Sequence, residues 1–306
     1  MKASRFYPQA KLLIRCIPAV AQETCFALKG GTAINLFVRD MPRLSVDIDL
    51  TYLPLKPRDE ALSGISSALQ RISERIKKTV PGAKVQETRA RSPESRITKL
   101  VAALDGQTVT IEPNEVLRGT VFAIEQRTLV ARAETTFELA AKMAVVNLSD
   151  LYGGKLCAAL DRQHPRDIFD VKLLLENEGI TDNIRKAFVV YLASHDRPIH
   201  ELIEPTRKDI ANLYKSDFVD MTEQEVSLEE LIKVREKYIT QIKTGLTSNE
   251  KQFLISLKQG QPDWGLLGVP NVENLPAIQW KLLNIRKMTA KKRDEQLGKL
   301  KGKLGI

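Results

Sequence analysis

Asp47 and Asp49 stand on either side of a single isoleucine in the stretch SVDIDLTYL. The stretch alternates. Val46, Ile48, Leu50 and Tyr52 share one side, and Ser45, Asp47, Asp49 and Thr51 share the other. This is the period of a strand with one face in a core, so the two carboxylates project together from the opposite face. Two carboxylates so close repel each other. A divalent cation relieves the conflict, and Mg²⁺ takes carboxylate oxygens while keeping waters and substrate phosphates as its other ligands. The strand would then be a rigid platform for magnesium. The plainer alternative is a half-exposed strand whose polar side faces water.

Gly30, Gly31 and Thr32 lie a short way upstream, where a short helix over TAINLFVRD begins. A glycine turn opening a helix presents backbone N–H groups on which a triphosphate can sit. A tight loop needing positive φ accounts for the glycines equally well. A third acid would complete a two-metal site. In QTVTIEP, Thr108, Thr110 and Glu112 face away from Val109 and Ile111. If that strand pairs beside the first, Glu112 approaches Asp47 and Asp49; otherwise it is a solvated strand end.

A further group of charges sits in GGKLCAALDRQHPRDIFDV. Lys155 and Arg162 are seven residues apart, two helical turns, and so share one face. Leu156, Ala158, Ala159 and Leu160 between them supply packing, and a cationic stripe on such a helix can grip phosphates. Lys155 would neutralise a triphosphate, and Arg162 or Arg166 would hold phosphate or ribose. Asp167 and Asp170 are i, i+3 on a helix opened by Pro165. They would orient Arg166 or Lys155, or position an acceptor. Taken alone, the group reads equally as a salt-bridged helix junction. GGK is not a phosphate-binding Walker loop, because Ser149 stands where the first glycine belongs and Leu156 where the hydroxyl residue belongs.

The elements that must carry these residues follow from periodicity. Residues 8–27 read as a helix interrupted near Pro18, and residues 57–80 as an amphipathic helix with Leu62, Ile65, Leu69, Ile72 and Ile76 inward. Strands are expected over RITKLVAAL, QTVTIEP and VFAIEQRTLV. From Thr136 the pattern is helical: TFELAAKMAVVNL, SDLYGGKLCAALDR and PRDIFDVKLLLENEG, continuing to about residue 258. QPDWGLLGVPNVENLP reads as a linker. The expected fold class is α+β, a head with a small mixed sheet followed by a helical C-terminal domain. The expected divisions are 1–135 for the α/β core, 136–260 for the helical domain, and 261–306 for the linker and basic tail.

The 306 residues include enough apolar side chains, 43%, for a sizeable core. A net charge of +9 favours a polyanionic partner, although basic solubility alone gives the same number. From Arg286 to the end, eight Lys or Arg face two acids, a tail that either meets RNA phosphates or is simply solvated. Cys16, Cys25 and Cys157 have no metal-ligand spacing and leave one thiol over in any disulfide scheme, which points to a reducing compartment. His164, His195 and His200 show no metal pairing. Trp264 and Trp280 read as packing residues. No stretch is long and apolar enough to span a membrane, so a cytoplasmic protein without membrane contact is expected.

GGTAINL, RLSVDIDL and GGKLCAALDRQHPRDIFDV together resemble the AbiEii/AbiGii-type nucleotidyltransferase toxins of the DNA polymerase β-like nucleotidyltransferase superfamily. The third block matches in Lys155, Arg162, Arg166, Asp167 and Asp170. The resemblance covers residues 25–175. It implies a polymerase β-like head with a helical second domain, and an Mg²⁺-dependent enzyme, with two ions, that transfers a nucleotide from an NTP to RNA such as tRNA. It also implies growth arrest and a cognate antitoxin encoded alongside. On this reading Asp47, Asp49, Lys155 and Asp170 are catalytic. Gly30, Gly31, Thr32, Lys155, Arg162, Arg166 and Asp167 bind nucleotide, and Asp47, Asp49 and Glu112 bind metal. The alternatives are a non-catalytic nucleotide- or RNA-binding module, and transfer to a protein hydroxyl.

Overall fold

The computed structural model describes residues 1–91 and 95–306. The chain divides into two compact units, one of Met1–Asn147 with Val219–Glu225, the other of Leu148–Phe218 with Val226–Ile306.

The first unit is built on a seven-stranded mixed sheet. In chain order its elements are α1 (Tyr7–Ala21), β1 (Phe26–Lys29), α2 (Gly30–Ala33) and β2 (Asp47–Tyr52). They are followed by α3 (Arg58–Thr79), β3 (Lys84–Arg89), β4 (Ile97–Leu104), β5 (Gln107–Asn114), β6 (Glu125–Thr128), α4 (Ala131–Phe137) and β7 (Lys142–Val145). The strand order is β3-β4-β5-β2-β1-β7-β6. β2 is central, parallel to β5 on one side and antiparallel to β1 on the other. Its Ile48 and Leu50 are fully buried. α1 and α3 pack against the sheet, and the inward stripe of α3, Leu62, Ile65, Leu69, Ile72 and Ile76, is buried as its spacing requires.

Three strands depart from the sequence reading. α1 runs through Pro18 without a break, since the proline ring faces solvent while Ile17, Ala19 and Val20 are held in the core. The chain leaves the helix before Phe26, and FALK becomes β1. KMAV, which reads as helix, is instead β7, parallel to β1 and antiparallel to β6. Both are short, and apolar periodicity cannot separate such a run from a helical segment. β3 is an edge strand of sequence KVQETR, too polar to show a buried face.

The second unit is helical: α5 (Leu148–Arg162), α6 (Pro165–Glu176), α7 (Asp182–Ser194), α8 (Ile199–Ile203), α9 (Ala211–Asp217), α10 (Leu228–Gly245), α11 (Ser248–Gln259), α12 (Pro276–Arg286) and α13 (Ala290–Leu304). α5 and α7 approach so closely that a Cβ on Gly153 would lie 2.8 Å from the Ala187 backbone. The basic tail is not loose: α12 and α13 are regular helices whose Ile278, Leu282, Ile285, Leu300 and Leu304 are buried. Among the described residues no helix is long and apolar enough to cross a membrane. All three cysteines are free thiols.

Candidate active site

β1 delivers the chain straight into the glycine turn. Lys29, its last residue, is the register partner of Asp49 on β2, and Gly30 follows with φ +72° as the helix begins. That backbone favours glycine, and so does the space around it. A side-chain carbon on Gly30 would lie 3.2 Å from Cγ of Asp49 and closer still to Oδ2. The acidic strand and the glycine turn are therefore in direct contact. The expected helix starts two residues early, at Gly30, and after one α-turn widens into a π-turn over Ile34–Val38.

Thr32 is buried, and its hydroxyl is committed inward. It donates to the Asp47 carbonyl oxygen at 2.5 Å and shares a 2.9 Å hydrogen bond with Ser45 Oγ. Thr32 thus ties the turn to β2, and what it can offer a phosphate is its backbone N–H. Asn35 Nδ2 donates to the Gly31 carbonyl at 2.9 Å and stiffens the same turn.

Sequence reasoning passed over Arg43. Its side chain is among the most buried in the protein, 2% exposed. Nη1 donates to the Leu44 carbonyl at 2.8 Å, and a Cβ on Gly31 would lie 2.5 Å from Nη2. A guanidinium charge therefore lies against the glycine turn. The only signal was its place in RLSVDIDL, just before the strand, and an arginine there reads as solvated.

Parallel pairing sets Glu112 of β5 opposite Asp49, with Thr110 opposite Asp47. The predicted adjacency of the two strands is met. Glu112 itself is exposed and faces Lys99 at 3.7 Å. Among the described residues no group of three His, Cys, Asp or Glu is gathered closely enough to hold an ion. The donor chemistry at Asp47 and Asp49 does suit magnesium: two hard carboxylates on one face of a central strand, beside a cradle that only glycine leaves open.

In the second unit, α5 and α6 bring the other charged residues together. Lys155 Nζ lies 2.7 Å from Asp167 Oδ1 and 3.0 Å from Asp170 Oδ2. Arg162 donates to both Asp167 oxygens, through Nη2 at 2.9 Å and through Nε. The two aspartates are fully buried and the Lys155 side chain is 5% exposed, whereas that of Arg162 is 59% exposed. Burial alone would raise the Asp167 carboxyl, but Lys155 and Arg162 overcome it and hold it far below the usual carboxylate range. Of the roles open from sequence, orienting Lys155 fits both aspartates. Arg166 takes its place beside them on the first turn of α6, where its N–H donates to His164 Nδ1 at 3.2 Å. His164 is the N-cap of that helix and lies 3.2 Å from Asp217, a structural role.

A family model for the nucleotidyl transferase AbiEii toxin of type IV toxin–antitoxin systems matches residues 11–284. Among solved structures, MenT4, a nucleotidyltransferase toxin from Mycobacterium tuberculosis H37Rv, superposes with a TM-score of 0.61 at 13% identity, over 91% of this chain and 92% of its own. That likeness is one of fold. No curated protein sequence matches the chain.

Proposed function

Because the chain belongs to the AbiEii nucleotidyltransferase toxin family of type IV toxin–antitoxin systems, we propose that it transfers a nucleotide from an NTP to a hydroxyl of RNA, tRNA first among the candidates. The observation that carries this reading is the Asp49 carboxylate lying against the Gly30 backbone. It puts acidic ligands and a phosphate cradle within one small volume, as a nucleotide-using site requires.

Asp47 and Asp49 would hold Mg²⁺, with Glu112 as the candidate third ligand. When bound, magnesium neutralises phosphate charge and makes the acceptor hydroxyl more acidic. The backbone N–H groups of Gly30, Gly31 and Thr32 bind triphosphate oxygens, with the Arg43 charge beneath them. Thr32 and Ser45 keep the turn in register with β2, so the phosphates and the carboxylates hold a fixed separation. The acceptor oxygen bonds to the α-phosphorus, the bond to the pyrophosphate oxygen breaks, and the hydroxyl proton leaves to water.

Lys155 and Asp170 act as one unit in this account. An ammonium has three protons; two point at Asp167 and Asp170, and the third serves a phosphate oxygen. Arg162 and Arg166 bind phosphate or ribose from the exposed side of the cluster. The +9 charge favours a nucleic-acid acceptor over a protein hydroxyl. A cognate antitoxin is the partner that the family implies.

The test is incubation with each labelled NTP in turn, bulk RNA and Mg²⁺. Label appearing in RNA, with pyrophosphate released in equal amount, supports the reading. Nucleotide binding without pyrophosphate release, or label in protein alone, overturns it.

A further inference from the structure

α12 is divided lengthwise. Ala277, Ile278, Lys281, Leu282 and Ile285 are buried. The opposite stripe, Gln279, Trp280, Leu283, Arg286 and Lys287, stands in solvent. Trp280 is 51% exposed and Leu283 42%. Trp280, Leu283 and Lys287 follow the i, i+3, i+7 spacing, so they form a row of about 10 Å along the helix axis. The solvent face of a packed helix is normally polar. This one leaves a tryptophan and a leucine each about half exposed, and it ends in two cations.

The charge around the row is not neutralised from within. Among the described residues no carboxylate pairs with Arg286, Lys287, Lys291, Lys292 or Arg293; the ion pairs of the tail are made by Lys299 with Glu295 and by Lys303 with Glu204. Two more lysines are buried on α11 and α12, and among the described residues neither makes an ion pair with a carboxylate, although Asp196 is near enough to Lys281 to offset part of its burial. Lys258 meets the Gln296 side-chain oxygen, and Lys281 donates to the backbone carbonyls of His195 and Arg197. Burial and the neighbouring Lys258 draw the Lys281 ammonium down to about 8. A fold that concentrates cations against one another at this cost has a field suited to a polyanion. An acidic polypeptide would use the charge but has little use for an exposed indole. Unpaired nucleotides use both, because every base has a face that stacks on an aromatic ring while its phosphate meets a cation.

We propose that the outward stripe of α12, with the basic start of α13, is a docking surface for unpaired nucleotides of the RNA acceptor, Trp280 stacking on a base and Arg286 and Lys287 holding the flanking phosphates. This rests on the RNA reading above and adds where that RNA is held.

The experiment measures binding of a fluorescein-labelled single-stranded RNA, and of bulk tRNA, to the full chain by anisotropy over a salt series. Trp280→Ala should weaken binding roughly tenfold, with Trp280→Phe keeping most of it. The double variant Arg286→Ala/Lys287→Ala should make the slope of log K against log salt shallower by about 1.4. At saturating RNA all of these variants should keep the wild-type kcat for transfer and differ only in the KM for RNA. Variants that bind RNA like the wild type, while the wild type binds it well, overturn the docking surface and leave the RNA acceptor standing. A wild-type protein that binds no RNA overturns both. Polyglutamate that binds the wild type and loses affinity in the Trp280→Ala variant, with RNA binding unchanged, overturns the proposal in favour of an acidic protein.

Discussion

The carboxylate of Asp49 occupies the space that a side chain on Gly30 would need. The glycine turn and the acidic strand are therefore in contact, and a side chain cannot be added at Gly30 without moving Asp49.

Gly30→Ala tests this contact. It meets two penalties, a left-handed backbone and a collision with Asp49, whereas Gly106→Ala, at φ +77° with nothing within 4 Å, meets only the first. The control should cost about 1 kcal/mol in chemical denaturation. Gly30→Ala should cost more and lower nucleotide transfer at least a hundredfold. Gly31→Ala should fall between the two, since its new carbon meets the end of the Arg43 side chain rather than a strand-borne carboxylate.

The buried cluster of Lys155, Arg162, Asp167 and Asp170 should be expensive to break from one side. Asp170→Ala leaves Lys155 with one anionic partner and should destabilise the fold by about 3–5 kcal/mol. Asp170→Asn keeps a hydrogen-bonding oxygen and should cost distinctly less. An Asp170→Asn variant as stable as the wild type, read from urea midpoints, would argue against the ion pair as the cause.

Acid should act through the same cluster. Lys155 and Arg162 hold the folded-state Asp167 carboxyl far below its value in the unfolded chain. Its stabilising contribution is therefore complete above about pH 4 and is lost as pH falls from there towards the folded-state value. Asp167→Asn should flatten the fall in stability below pH 4, measured as urea midpoint against pH. A variant that retains the full wild-type slope would remove Asp167 from the acid response.

Lys281 gives a prediction of the same sign at the alkaline end. Its folded-state value near 8 lies below that of a free lysine. Between the two values the unfolded chain binds the extra proton, so the penalty that Lys281 imposes below pH 8 is relieved as pH rises through that window. The gain should be on the order of 3 kcal/mol and absent in Lys281→Met. Parallel pH profiles for wild type and variant would contradict it.

What the sequence disclosed depended on whether a residue's surroundings were written into its own neighbours. The alternation of SVDIDLTYL placed β2 and its carboxylates, and the seven-residue step put Lys155 and Arg162 on one helix face, because these are local patterns; that both cations meet on Asp167 came from the structure. β1 and β7 were hidden, because a four-residue buried strand owes its state to partners distant in the chain. Thr32 looked like a phosphate ligand, but its hydroxyl turns inward to the Asp47 carbonyl, fifteen residues along the chain, a pairing that no linear reading exposes. Arg43 was missed for the same reason: its burial under the turn is a tertiary fact. The tail read as charge alone, and its helices became visible only with Leu300 and Leu304 in the core.

The most direct measurement compares wild type with Asp49→Asn for incorporation of labelled NTP into bulk RNA in Mg²⁺, with thermal unfolding recorded on the same samples. The substitution removes a charge but keeps the shape against Gly30. Transfer should fall at least a hundredfold, a loss of about 3 kcal/mol in transition-state stabilisation, while the unfolding midpoint stays within a few degrees of wild type. A folded Asp49→Asn protein with undiminished transfer would contradict the account.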